Sequence, residues 1–347
     1  MLAIIAHHYV VNSGVTGKFI YDGTITSQQY FLEVWGMWGK VGINAFILIS
    51  GYFMCKMTLT LKRYVKLLVQ IMFYGLTIMV IFAMCDYHTI TIKMLVYKLL
   101  SPLMQINRSF VASFMAFYAF VPLYNKFIDF LPQKQFIVLI AGLLFVMTFC
   151  SSFFLAPTMN EPIWYMTLYF VAAYIRIYPN KYFYNLKLSS ITLVVSIVLA
   201  IVVCLSFVHM ASITGRHVFV LYKWHLVADS NKALAFIIGL SAFLTAKNLN
   251  IGHNRIINGL AAGCFGVLLI HASSDTMRKW LWQDVCNVPE MFNSDIISLV
   301  VQAIAVPIIV FLGCSFIDHF YKKYLEPAFM GMIFPEKKKS IQMTSNG

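Results

Sequence analysis

Charge is what this sequence has little of. Only 11% of its 347 residues are Asp, Glu, Lys or Arg, where a soluble domain carries about 25%. Hydrophobic residues make up 60%, and the mean hydropathy is +0.77. That balance excludes a soluble globular enzyme and indicates a polytopic membrane protein. Carboxylates are the scarcer sign, 13 against 26 Lys and Arg, for a net charge of +13. A basic inner surface facing anionic lipid headgroups accounts for that excess without a nucleic-acid partner. Long polar blocks and Pro/Gly/Ser-rich linkers are also missing. Residues 1–335 therefore read as one integrated membrane domain, followed by a basic and polar cytoplasmic tail at 336–347. The opening segment lacks a positively charged start and a small-residue cleavage site, so it does not read as a secretory signal.

Cysteine is sparse and scattered. Cys55, Cys85, Cys150, Cys204, Cys264, Cys286 and Cys314 form no CxxC and no zinc-ligand spacing. They read as small apolar packing residues, and no metal site is expected. Cys85 and Cys286 fall on the same expected side, where they are either a pair or two free thiols.

What the sequence does have is apolar runs of membrane-crossing length. After a short run at 1–12 they fall at 36–55, 64–84, 109–128, 135–155, 162–178, 188–208, 232–247, 256–276 and 296–317. The expected architecture is all-α, with about ten transmembrane helices, the first of them truncated. The amphipathic stretch "TIKMLVYKLLSPLMQI" at 91–106 reads as an interfacial helix lying on the membrane.

Positive residues mark the cytoplasmic side. With the amino terminus and the even-numbered connections inside, sixteen of the 26 Lys and Arg lie on that side, Lys62, Arg63 and Lys66 among them, and nine of the 13 carboxylates lie opposite. Both termini are thus expected in the cytoplasm of a multi-pass plasma-membrane protein.

Polar residues inside such spans are rare and suggest function. "MLAIIAHHYV" places His7 and His8 at the end of a short apolar run. Histidine both takes and gives a proton near neutral pH. His8 is therefore either a general base facing a membrane cavity or an interfacial histidine wetted from outside. "WGKVGINAFILISGYF" (38–53) puts Gly39, Gly42, Ser50 and Gly51 on one helix, and small residues let membrane helices approach closely. Asn44 and Ser50 add hydrogen-bonding groups there, for packing or for an oxyanion. In "TLKRYVKLL" (60–68), Lys62, Arg63 and Lys66 cluster at a helix start. Arg63 and Lys66 share a face and either bind a phosphorylated ligand or are ordinary positive-inside flanks. His271 ends an apolar run, as an acceptor contact or an interfacial histidine. Glu161 opens the run containing Trp164, which is part of an aromatic belt or a sugar-stacking platform.

The order of these motifs resembles the acyltransferase 3 family of integral-membrane O-acyltransferases. A short run ending in His-His-Tyr, then "GKVGINAFILISGYF", then "KRYVKLL" is similar to that family's opening. "WYMTLYFVAAYIRIYP" (164–179) and "FGVLLIH" (265–271) agree more loosely with later helices. By this resemblance His8 matches the family histidine, and Arg63 and Lys66 match its Arg-x-x-Arg pair. Lys keeps the charge of the second Arg but loses the bidentate fork. Family members usually begin earlier, with an Arg in the first half of helix one, so the first helix is expected to lack its N-terminal part.

The resemblance implies transfer of an acyl group, most often acetyl, from cytosolic acyl-CoA to a hydroxyl of a cell-surface polysaccharide or its lipid-linked precursor. Acyl-CoA is then a co-substrate, no bound cofactor is needed, and other envelope-biosynthesis proteins are the expected partners. His8 would act as the base, Lys62, Arg63 and Lys66 would hold the CoA phosphates, and His271, Glu161 and Trp164 would face the acceptor. The competing class is a transporter or flippase for a polysaccharide precursor. Such proteins often show internal repeats with broken helices, and no repeat is evident here.

Overall fold

The protein is described by a computed structural model covering residues 1–335. The tail read at 336–347 lies outside the described residues. All regular secondary structure among them is helical. In chain order the principal helices are α1 (Leu2–Val11), α2 (Ser27–Trp35), α3 (Gly39–Met54), α4 (Leu61–Met84), α5 (Ile92–Met104), α6 (Phe110–Phe130) and α7 (Gln133–Phe153). There follow α8 (Glu161–Ile177), α9 (Leu186–Thr214), α10 (Ala233–Asn248), α11 (Arg255–His271), α12 (Asp275–Val285), α13 (Ile296–Phe320) and α14 (Glu326–Ile333).

Their starts are written locally. Thr26, Thr60, Thr91, Asn160, Asn185, Asn254, Ser274 and Asp295 each cap the helix that follows by accepting a backbone N–H of its first turn, the usual role of these side chains. Helix α1 stops at Asn12, and Gly14 turns the chain with φ of 78°, a conformation that glycine adopts without strain.

Six helical stretches are long and apolar enough to cross a bilayer: Ser27–Met54, α4, α6, α7, α9 and Ile296–Ile333. The α11–α12 pair, bent by 99°, brings the number to seven if it counts as one span. The runs read at 162–178 and 232–247 become α8, of 17 residues, and α10, of 16. At 1.5 Å per residue these are about 26 and 24 Å long, short of the roughly 30 Å hydrocarbon core. Helix α8 packs between α3, α6 and α7, and ten of its residues are buried. Its neighbours, rather than lipid, meet its sides. Helix α5 is mostly exposed, with only Pro102 buried, and it lies across α4 and α6. All seven cysteines are free thiols.

One contact orders the end of the bundle that holds α1. Helix α1 runs against the start of α3 and the short turn before it. Gly36, Gly39 and Gly42, three residues apart, face Val10, His7 and Ile4 in reverse order. A Cβ on these glycines would stand 2.9, 2.5 and 2.8 Å from those side chains. The three glycines form a groove, and α1 lies in it. Further along α3, Gly51 admits Tyr169 and Ala172 of α8 in the same way. We predict that Gly39→Ala, which must displace the His7 ring, costs about 1–3 kcal/mol and lowers the melting temperature of the detergent-purified protein. Gly142→Ala, where a Cβ meets nothing within 4 Å, should not lower it.

Candidate active site

Three successive residues of α1 reach three different neighbours, because consecutive side chains on a helix point about 100° apart. His7 donates from Nδ1 to the carbonyl of Gly36, beside α3. His8 meets α11, its Nδ1 3.0 Å from Nε2 of His271. Tyr9 meets α13, its hydroxyl donating to Oε1 of Gln302 at 2.6 Å.

The protons of the histidine pair follow from partner chemistry. His271 is fully buried, and its Nδ1 lies 2.6 Å from the carbonyl of Val267. A carbonyl only accepts, so His271 Nδ1 carries hydrogen, and in the neutral ring Nε2 is then an acceptor. His8 must therefore donate from Nδ1, which leaves its Nε2 with the lone pair. The result is a directional relay, from His8 through His271 to a backbone carbonyl. It presents one basic nitrogen on a ring that lines a cavity.

That cavity has a volume of about 690 Å³ and is walled by α1, α3, α4, α5, α6, α11 and α12, within the usual range for a ligand site. Ile4, Ile71 and Met72 are among its apolar lining. His7, His8, Lys40, Lys98, Glu161 and Arg278 are among its polar lining. Both ring nitrogens of His88 and Nε of Arg278 are buried without a hydrogen-bond partner, and Glu161 meets the buried Tyr165 hydroxyl. Buried polar atoms are nearly always paired, so this concentration around one cavity marks a site built for a polar ligand.

Of the residues singled out from sequence, His8, His271 and Glu161 come together here. The basic cluster does not. Arg63 lies about 18 Å along α4 from Gly75 of the cavity wall, with Nη1 donating to the Thr58 carbonyl at 2.9 Å. Lys66 pairs with Glu326 of α14 at 2.8 Å, and Lys62 is exposed. Asn44 is engaged at both ends of its amide: Nδ2 donates to the Ser230 carbonyl at 2.7 Å, and Oδ1 accepts from Trp164 Nε1 at 2.9 Å. Trp164 itself is fully buried against Phe236. This Asn44–Trp164 link joins α3 to α8 inside the bundle, away from the cavity lining. Ser50 is half-buried towards the Arg63 end of α3 and also lies off the cavity.

Sequence reading missed Lys98 and Arg278. The ammonium of Lys98 donates to the Ser273 carbonyl at 2.9 Å, and Arg278 reaches the Ala272 carbonyl at 3.5 Å. Both carbonyls sit in the sharp break after His271, and nothing in one dimension places α5 beside that break. The relay makes a spectroscopic prediction. In ¹⁵N-histidine spectra of the purified protein, neutral His8 should be the Nδ1–H tautomer. A ring protonated at Nε2 instead would mean that the pair is wired the other way.

Among known families, an acyltransferase-domain model matches residues 1–319. Curated proteins and solved structures yield no match. The matched region takes in α1, the glycine groove and both histidines of the relay. With more than half of its length matched, the chain belongs to the acyltransferase 3 family.

Proposed function

We propose that this acyltransferase moves an acetyl group from cytosolic acetyl-CoA to a hydroxyl of a cell-surface polysaccharide or its lipid-linked precursor, in the plasma membrane and with both termini cytoplasmic. About ten membrane-embedded segments are counted in this reading, the shorter α1, α8, α10 and α11 included with the long spans. The observation that carries it is the His8–His271 relay on the wall of a polar cavity. A transporter has no evident need of a basic nitrogen aimed in this way, whereas hydroxyl acylation requires one.

In this reading the acceptor hydroxyl donates to His8 Nε2 while its oxygen attacks the thioester carbonyl carbon. His8 takes the proton, and its Nδ1–H stays on His271, which holds the ring as positive charge develops. The tetrahedral intermediate collapses with loss of the C–S bond. The thiolate leaving group takes the proton back, so the products are the ester and free CoA. Arg63 and Lys66 at the cytoplasmic end would attract the CoA phosphates, and the acyl arm would extend along α4 towards Ile71 and Met72 in the cavity lining.

The expected outcomes separate these roles. His8→Ala should lower turnover about 10²- to 10⁴-fold in membranes supplied with labelled acetyl-CoA, without loss of folded protein. Arg63→Ala and Lys66→Ala should instead raise KM for acetyl-CoA. Wild-type transfer by His8→Ala would remove the base from this scheme.

A further inference from the structure

The cavity wall next to the relay carries cations that acyl transfer itself does not call for. Lys98 and Arg278 come from different helices and converge on the successive carbonyls of Ser273 and Ala272, directly after His271. Among the described residues Lys98 has no carboxylate partner, and Arg278 has Asp275. Asp275 takes the outer side of the guanidinium at 3.0 Å, and its own side chain is 98% exposed. Nε of Arg278 and Oγ of Ser273 are buried and unpaired.

The fold makes room for this arrangement. Lys98 crosses α4 at Gly75, where a Cβ would stand 2.6 Å from Lys98 Cε. Burial, and secondarily the charge of Arg278, lower the Lys98 pKa from its ordinary value. Two cations held together in a partly desolvated wall repel each other unless an anion joins them. Lys40 and Arg108 complete a lining with four cations and two carboxylates, Glu161 and Asp275. Glu161, which meets the Tyr165 hydroxyl, keeps further carboxylate lone pairs suited to accept hydrogen bonds from sugar hydroxyls. Cations to hold an acid group and a carboxylate to hold hydroxyls together describe a ligand that is both acidic and polyhydroxylated.

Given the acetyl-transfer reading, on which this inference rests, we propose that the acceptor is an acidic saccharide whose carboxylate or phosphate is held between Lys98 and Arg278, beside the hydroxyl that His8 deprotonates. The distinction matters because those cations would otherwise serve the CoA phosphates.

The test uses membranes from the producing cells, which contain the native acceptor, supplied with labelled acetyl-CoA. The labelled product should bind an anion exchanger. Loss of that binding on carboxyl reduction identifies a carboxylate, and loss on mild acid cleavage identifies a glycosyl phosphate. Lys98→Gln and Arg278→Gln should each raise the acceptor concentration needed for half-maximal labelling about tenfold or more, with KM for acetyl-CoA unchanged. Arg278→Lys, which restores the charge, should recover part of the loss. A neutral product, a rise in KM for acetyl-CoA instead, or equal impairment by Gln and Lys at 278 would each overturn the proposal. Labelling no greater than in membranes that lack the protein would count against the acetyl-transfer reading itself, so the two failures are distinct.

Discussion

The active-site end of this molecule depends on how closely α1 approaches α3. Lipid is as apolar as leucine, so membrane helices gain little from burying apolar side chains against each other and associate through close packing and hydrogen bonds. Gly36, Gly39 and Gly42 supply the packing, taking up Val10, His7 and Ile4. The hydrogen bonds of His7, His8 and Tyr9 to the Gly36 carbonyl, His271 and Gln302 supply the rest. A short helix of ten residues is thereby fixed in rotation as well as position. Rotation is the critical variable, since a turn of 100° would put a neighbour in place of His8 against His271.

That geometry explains which parts were legible in the sequence. The spacing of "GKVG" signalled close approach, and the apolar run before His-His signalled a histidine at membrane depth. Choosing between His7 and His8 needed the family resemblance, because two adjacent residues differ only in angle, and angle is set by the partner helix. The opening motifs, "FGVLLIH" and Glu161 lie far apart in the chain, yet His8, His271 and Glu161 line or flank one cavity. Asn44 and Trp164 looked equally polar or amphipathic on paper, but their mutual hydrogen bond could be seen only once α3 and α8 were side by side. Span counting ran into the same limit. Hydropathy marks α8 and α10 as apolar, but burial among other helices produces the same signal as contact with lipid.

In the proposed scheme the relay orients a base inside a membrane without adding charge. In soluble hydrolases a carboxylate often holds the catalytic imidazole, but an ionised carboxylate buried at this depth would carry a heavy desolvation cost. His271 performs the orienting function while neutral, because its own Nδ1–H is absorbed by the Val267 carbonyl four residues earlier on the same helix. The arrangement needs α11 to continue as far as His271 and then to end. The chain does end there, breaking at Ala272 and restarting under the Ser274 cap with a 99° bend. The same break exposes the carbonyls that Lys98 and Arg278 grip.

Buried carboxylates tie the opposite end of the bundle together. Asp318 pairs with Lys322 at 2.7 Å, helped by Gln70 and Tyr74, and Glu326 pairs with Lys66 at 2.8 Å. These contacts join α4 to α13 and α14. At the relay end Lys98 and Arg278 hold backbone carbonyls, and Arg278 also has the exposed Asp275 at 3.0 Å. A polyanion arriving at Lys66 must therefore compete with Glu326, whereas one arriving between Lys98 and Arg278 displaces no carboxylate from Lys98. In the proposed scheme the first position suits a donor that must leave after its acyl group is gone. At the second, the exposed Asp275 is the carboxylate facing Arg278, and Lys98 is left for the acid group of an acceptor.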